Sequence, residues 1–490
     1  MRPLLFLILM LSIFQSMNAV CQDLDLTFNT TGKVQLSIGP GSDECKSMAI
    51  DNNGKIVLAG YTLVGANYQF SVNRLKANGN LDSTFNTDGK LTIPLPARGG
   101  SGQSLKLQSD NKIVVAGYFG NTTKTDFAVM RLNPDGSLDG TFNSTGIATI
   151  PVTTNDDDFG AAMDIQSFDG KIVVVGNSGD SLSVIRLNTN GTLDATFDTD
   201  GKAYVSGFNA NAVLAQSDGK IFVAGEYNSY ASVVRLNSNG SVDNTYGTNG
   251  IVSIDLGTVN TQSARSIIKL KSGKIVIAGS DGNNFIAIRL NSDGTLDNTF
   301  DTDGKTSIDF GFTDICLSVA EDTTSKDILL AGYTYNLTPQ SDFAICRLNS
   351  TGTIQAQATI LFGSNSSEGA SIAIQSDEKI VVAGTTDIGT GNEDFAVIRL
   401  LPNFVTTAVL SSDNISTTLN LFPNPATQNV SVNSIFNIEQ IKVVDVIGNE
   451  VMNIPSSGNT QVDVSTLPKG LYNFVITTDK GVGSKKVSVQ

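Results

Sequence analysis

Lys112-Ile-Val-Val-Ala-Gly117, Phe127-Ala-Val-Met-Arg-Leu-Asn133 and Asp135-Gly-Ser-Leu-Asp-Gly-Thr-Phe142 are three phrases of one sentence that the chain writes seven times, with small changes. The first phrase opens at Gly54, Asn111, Gly170, Gly219, Gly273, Lys326 and Glu378, at successive offsets of 57, 59, 49, 54, 53 and 52 residues. Such a period marks an array of small units that bury their apolar faces only against one another. Four strands can be read in the unit Ser104–Ile150. Ser104-Leu-Lys-Leu-Gln108 alternates, as a half-exposed strand does. Lys112–Gly117 is a continuous β-branched run, suited to burial on both faces. Phe127–Leu132 is the third strand, broken by Asn133-Pro-Asp-Gly136, and Gly146-Ile-Ala-Thr-Ile150 is the fourth. No segment sustains a 3.6-residue apolar period, so almost no helix is expected.

Four strands in about 50 residues is the size of a propeller blade. A β-helix uses shorter coils, and sandwich domains need about 100 residues each. The ends of the array carry the decision further. The seventh unit stops after Phe395-Ala-Val-Ile-Arg-Leu400, and its missing phrase stands near the N-terminus as Leu24-Asp-Leu-Thr-Phe28, followed by Asn29–Lys33. An N-terminal strand that completes the last blade closes the ring and removes its open edges. The fold expected is all-β: a seven-bladed β-propeller over residues 22–404 closed by an N-terminal strand, followed by a small Ig-like β-sandwich.

Two residue series recur with the repeat. Arg74, Arg131, Arg186, Arg235, Arg289, Arg347 and Arg399 share one position, and Asp25, Asp82, Asp139, Asp194, Asp243 and Asp297 share another. A site is asymmetric whereas a packing device repeats, so the arginines are expected to bond carboxylates or carbonyls within or between blades. Phe28, Phe85, Phe142, Phe197, Tyr246 and Phe300 are read as inter-blade core. The sixth unit has Thr353-Ile-Gln-Ala-Gln357 in place of the phrase, lacks both Asp and aromatic, and is expected to be the softest.

Composition removes whole classes of chemistry. The formal charge is −15, from 47 acidic and 32 basic residues, a sign that repels nucleic acid and anionic lipid. Histidine is absent, which excludes a Ser-His-Asp triad, an imidazole base and imidazole metal ligands. Tryptophan is absent too, leaving Tyr61, Tyr118, Tyr227 and Tyr333 as substitutes for a sugar platform. Arg2, the apolar run Leu4–Phe14 and Ala19-Val-Cys21 read as a secretory signal peptide over residues 1–21. A lipoprotein reading with acylated Cys21 competes, although Asn18 stands where leucine is preferred. The apolar run is too short to span a bilayer, and no other segment is apolar enough to do so. Cys45 and Cys316 align with Gly102, Gly160 and Gly369, so they read as small core residues. Cys346 lies two strands from Cys316, about 9–10 Å, beyond disulfide reach.

The repeated phrases resemble the delta-60 repeat family of secreted bacterial proteins over roughly residues 22–403. That resemblance implies an extracellular propeller-like array and brings no catalytic signature. After a linker at residues 405–418, the segment 419–490 reads Leu421-Phe-Pro-Asn-Pro425, Gly448-Asn-Glu-Val451, Leu467-Pro-Lys-Gly-Leu-Tyr472 and Ser484-Lys-Lys-Val-Ser-Val-Gln490. This resembles the C-terminal sorting domain of type IX secretion in Bacteroidetes-type Gram-negative bacteria. Pro423, Asn424, Pro425, Gly448, Gly470, Tyr472, Lys485 and Lys486 carry the resemblance. It implies the type IX machinery as a partner, and a secreted or outer-membrane surface location. By its own pattern the segment is enough for a small antiparallel sandwich.

Propeller ligands sit at a mouth of the central channel, where the loops leading into the innermost strands bring Asp43, Asp158, Asp314 and, one place along, Glu368. Convergent carboxylates suit calcium, which takes six to eight oxygens, or a cationic ligand; alternatively they are solvated loop residues or caps of backbone amides. No other cofactor is expected. The function expected is a non-catalytic interaction scaffold, a monomer that binds an extracellular glycan or protein. The alternative is a carbohydrate-active hydrolase or lyase that uses two channel-mouth carboxylates.

Overall fold

The structure is a computed structural model that describes residues 23–404 and 419–490, apart from 95–98, 122, 155, 259–260, 336–339, 363–364, 388, 390, 435, 446–449, 456–460 and 479–480. The expected signal segment, the linker and Gly448 therefore lie outside the described residues. Two compact units are present, one from Asp23 to Val405 and one formed by the C-terminal residues. No helix occurs among the described residues.

The first unit is seven four-stranded antiparallel sheets. The innermost strands are Asp43–Ile50, Gly100–Leu107, Asp158–Ile165, Phe208–Ala215, Ser263–Lys269, Asp314–Glu321 and Ser367–Ile374. Each packs against the next, and the last against the first, so they form a ring. Six blades follow chain order. The seventh holds Ser367–Ile374, Ile380–Asp387 and Glu393–Leu400, and takes Lys33–Leu36 as its outer strand, with Lys33 opposite Ile398 and Leu36 opposite Phe395. Closure by the N-terminal strand is thus realised. Burial explains the apolar runs: every residue of Thr125–Leu132 is buried, because each blade is covered by a neighbour on both faces.

One irregularity repeats in all seven innermost strands. The pairing with the second strand slips by one residue at 45/47, 102/104, 160/162, 210/212, 264/266, 316/318 and 369/371. Each slip is a β-bulge, which re-aims the extra residue. The bulge also presses a carbonyl onto the second strand, and this accounts for the glycine of the Val-Ala-Gly phrase. A Cβ at Gly60 would lie 1.8 Å from the Glu44 carbonyl oxygen, and one at Gly117 would lie 1.9 Å from that of Ser101. Only glycine fits there.

The arginine series staples blade to blade. Nε of Arg131 donates to Asp139 at 2.7 Å, the guanidinium lies over the Phe142 ring at 4.8 Å, and one Nη donates to the Thr189 carbonyl of the next blade at 2.6 Å. Lys112 pairs with the same Asp139 at 3.1 Å. Arg186 repeats the arrangement with Asp194, Phe197 and the Ser238 carbonyl, and Arg399 closes the ring on Asp25, Phe28 and the Ala77 carbonyl. The expected structural role of this series holds. Cys45, Cys316 and Cys346 are free and buried, as the two-strand separation required.

The C-terminal unit is a β-sandwich. One sheet holds Asn420–Phe422, Asn429–Asn433 and Gln461–Asp463. The other holds Glu450–Pro455, Ile438–Val444, Gly470–Thr478 and Gly481–Val489. Val430, Val432, Ile441, Phe474 and Val487 fill the space between them.

Candidate functional site at the channel mouth

The seven innermost strands enclose a cavity of about 610 Å³ on the ring axis. Its wall includes the bulged residue of every blade: Lys46, Gln103, Ala161, Asn211, Arg265, Leu317 and Ala370. The repeated backbone therefore displays a ring of non-repeated side chains. Sequence reading missed this ring, although its signal was present as one freely variable position between two that hold only small residues, Cys, Gly or Ala before it and Ser or Ala after it.

The four carboxylates expected to converge have different roles. Asp43, Asp158 and Asp314 are fully buried and do not line the cavity. Each turns back to hold the loop that delivers its own strand. Asp43 accepts from the Ile38 and Gly39 amides at 2.6 and 3.2 Å. Asp158 accepts from the Val152 and Thr153 amides at 2.7 and 3.1 Å and from the Thr153 hydroxyl at 2.9 Å. Asp314 accepts from the Phe310 amide at 2.7 Å, while burial pushes its carboxyl up to about 7. Glu368 does line the cavity. No group of three acidic or cysteine side chains placed to hold a metal ion occurs among the described residues.

Glu368 instead belongs to a cluster with Glu44, Glu393 and Lys46 on blades 1 and 7, at the mouth where the innermost strands begin. Glu44 pairs with Lys46 and accepts a hydrogen bond from the Tyr61 hydroxyl. Burial pushes Glu44 up, but Lys46 and these hydrogen bonds outweigh it and hold the group below the usual range. Glu393 shares a hydrogen bond with Glu44, and burial together with the Glu44 charge pushes it up to about 7. Burial also raises Glu368. A carboxyl held below the usual range and one raised to about 7 therefore stand side by side.

Aromatic rings extend from this cluster. Tyr61 and Tyr68 meet edge to face at 4.7 Å between centroids, and Tyr118 and Phe159 do so at 5.1 Å. Tyr68 is 47% exposed and Phe159 44%, so both present open ring surface. Tyr61, Tyr118 and Tyr333 occupy one position, directly after the second-strand glycine. Tyr227 falls one residue later and stacks on Phe208, so it leaves the set.

In the C-terminal unit the distant motif residues meet. The Asn424 side chain donates to the Lys486 carbonyl at 2.9 Å and accepts from the Ser488 amide at 2.9 Å. Pro423 and Pro425 flank it, each after a cis peptide bond. Gly470 lies opposite Val489 of the final strand, and the buried Tyr472 donates to the Pro468 carbonyl at 2.8 Å. Lys485 and Lys486 lie within that strand.

Fold and site together define a secreted-type β-propeller repeat protein with an appended sandwich. Residues 52–85, 108–142, 169–197, 216–246, 270–300, 327–354 and 375–403 match the family described as domain of unknown function (DUF5122) beta-propeller. Residues 420–490 match the secretion system C-terminal sorting domain. The chain's propeller is thus a DUF5122 propeller and its tail a type IX sorting domain, which marks a secreted or cell-surface protein of Bacteroidetes-type Gram-negative bacteria that the type IX machinery handles. No helix is long and apolar enough to cross a membrane among the described residues. No curated protein matches the sequence. Among solved structures, a catalytically inactive virginiamycin B lyase from Staphylococcus aureus with quinupristin is 14% identical, with a TM-score of 0.46, covering 75% of this chain and 98% of that one. Sqt1 from Chaetomium thermophilum is 9% identical, with a TM-score of 0.45 and coverage of 94% and 99%. The polysaccharide lyase Uly1 is 9% identical, with a TM-score of 0.39 and coverage of 74% and 90%. Likenesses at this level carry nothing about chemistry.

Proposed function

We propose that the propeller is a non-catalytic extracellular binding module, acting as a monomer and without calcium, whose channel mouth takes a glycan. The aromatic arc of Tyr61, Tyr68, Tyr118 and Phe159 beside the Glu44–Glu368–Glu393 cluster carries this reading. A tyrosine ring gives an apolar face to the C–H side of a sugar, and neighbouring carboxyls accept from its hydroxyls. A cavity of about 610 Å³ also falls within the roughly 300–1,000 Å³ of small-ligand pockets. The hydrolase or lyase alternative draws on the split acidities of Glu44 and Glu393. Those two carboxyls hydrogen-bond each other, however, whereas carboxyls that flank a scissile glycosidic bond stand at least about 5 Å apart.

Titration of the secreted chain against a panel of neutral and acidic polysaccharides tests the reading. Binding without release of new ends is expected, and Tyr68→Ala with Phe159→Ala weakens it about tenfold, at roughly 0.5–1.5 kcal/mol per ring. Turnover of any polymer would overturn the non-catalytic reading.

A further inference from the structure

Four of the seven bulged side chains on the cavity wall are polar, and three of them are held. Lys46 pairs with Glu44. Gln103 donates to the Ser101 hydroxyl at 2.7 Å. Asn211 donates to the Ser263 hydroxyl and the Ala264 carbonyl, both at 3.0 Å. Arg265 of blade 5 is different: its Nε is buried without a hydrogen-bond partner. No carboxylate lies within ion-pair distance of its guanidinium among the described residues. Every arginine of the repeated staple has a carboxylate and an aromatic ring, as Arg131 does with Asp139 and Phe142, so Arg265 stands outside that scheme.

Leaving a buried donor unsatisfied disfavours the folded state. A guanidinium presents its donors as a rigid fork that matches two oxygens of one oxyanion. We infer that Arg265 binds an oxyanion, a uronic carboxylate or a sulfate ester, on the glycan that occupies the mouth. This inference rests on the glycan reading above. The acidic cluster does not oppose it: Lys46 offsets Glu44, and Glu368 and Glu393 share one locality with them on blades 1 and 7. Tyr333 of blade 6 lies between the two poles, feeling the charge of both Glu368 and Arg265. The cavity is therefore acidic on one side and cationic on the other, and an acidic sugar placed in it has one orientation. Its anionic group meets Arg265 and its hydroxyls face the glutamates.

The test uses the full secreted chain and isothermal titration with polygalacturonate, its methyl-esterified form, dextran and dextran sulfate. The native chain is expected to bind at least one acidic polymer about tenfold more tightly than its neutral counterpart. The polygalacturonate and dextran sulfate arms tell carboxylate from sulfate. Arg265→Gln removes the preference while affinity for the neutral polymer persists, and Arg265→Lys keeps part of it. Melting provides the structural control: Arg265→Gln melts at or above the native temperature, whereas Arg131→Gln melts below it. An unchanged acidic preference in Arg265→Gln, or a loss of stability as large as that of Arg131→Gln, overturns the inference. If the native chain binds neutral and acidic polymers alike, the inference falls and the glycan reading stands. Binding of none of the four overturns both.

Discussion

Arg347 pairs with Asp327 at 3.8 Å, although the other six repeat arginines take their carboxylate from the Leu-Asp phrase or its N-terminal copy. Asp327 directly precedes the second strand of blade 6, where the other blades place Lys55, Lys112, Lys171, Lys220, Lys274 and Lys379. Blade 6 has thus exchanged the sign of one position to offset the loss at another. Its missing aromatic is replaced from elsewhere as well: Phe404, beyond the seventh blade, lies 5.3 Å from the Arg347 guanidinium and joins the core with Ala356 and Ala358. The loss of the phrase therefore does not leave this blade without its clasp.

Reverting Asp327 to the common residue should accordingly be harmful. Asp327→Lys leaves the buried Arg347 facing a like charge, at about 2 kcal/mol. Phe404→Ala removes a buried ring from both the cation and the core, at about 3–5 kcal/mol. Urea denaturation of the two variants measures both costs. A fully stable Asp327→Lys would show that the ion pair holds nothing.

The fold was legible because it is written in repeated, locally determined features. Apolar runs of strand length, turn residues at constant offsets and the split of one phrase between Leu24–Phe28 and the truncated seventh unit specify blades, their number and ring closure. The site was legible only in part. Asp43, Asp158 and Asp314 carry the right chemistry near the right mouth, yet their short side chains fold back onto the amides of Ile38, Val152 and Phe310. Glu393 was not singled out, because it comes to Glu44 only when the last blade meets the first. Arg265 was hidden because a bulge decides where it points, and within one strand a bulge looks like any other residue; only the seven repeats laid side by side, with small residues on either side of a variable one, mark it.

The bulge itself can be tested through its glycine. Gly225→Ala puts a Cβ 1.8 Å from the Asn209 carbonyl oxygen, and a backbone group cannot rotate away as a side chain can. A loss of about 1–3 kcal/mol is expected from this overpacking. A Cβ at Gly140 would meet no heavy atom within 4 Å, which makes that position the matched control. Gly140→Ala should stay within about 0.5 kcal/mol of native. Equal stabilities for the two variants would remove the steric account of the Val-Ala-Gly phrase.

Calcium provides a sharp contrast between loop clasp and ligand. Asp158 already accepts three hydrogen bonds from its own loop, so the melting temperature in excess chelator should equal that in millimolar calcium. Asp158→Ala leaves those buried donors unsatisfied and should lower stability by about 1–3 kcal/mol, by the same amount in both conditions. A calcium-dependent melting temperature would restore a metal site to the mouth.

The dependence of stability on pH should have a maximum in the acid range, because two sets of carboxyls pull in opposite directions. Asp314 and Glu393 are pushed up to about 7, above their unfolded values of about 4. Between about pH 4 and 7 the folded chain therefore holds more protons than the unfolded one, and stability falls as pH rises through that window. The clasp aspartates act the other way. Burial opposes their ionisation, but the Thr27, Lys379 and Arg399 contacts of Asp25 prevail and bring it down to about 2, and Asp139 is held low likewise by Thr141, Lys112 and Arg131. Their contribution is complete above about pH 4 and is lost as pH falls toward the folded value. Thermal melts across pH 2–8 should thus rise from pH 8 to about 4–5 and then drop. Asp314→Asn should flatten the upper limb and leave the acid limb in place, whereas Asp139→Asn should lower stability most above pH 4. A monotonic rise from pH 4 to 8 in the native chain would contradict the upward shift of Asp314 and Glu393.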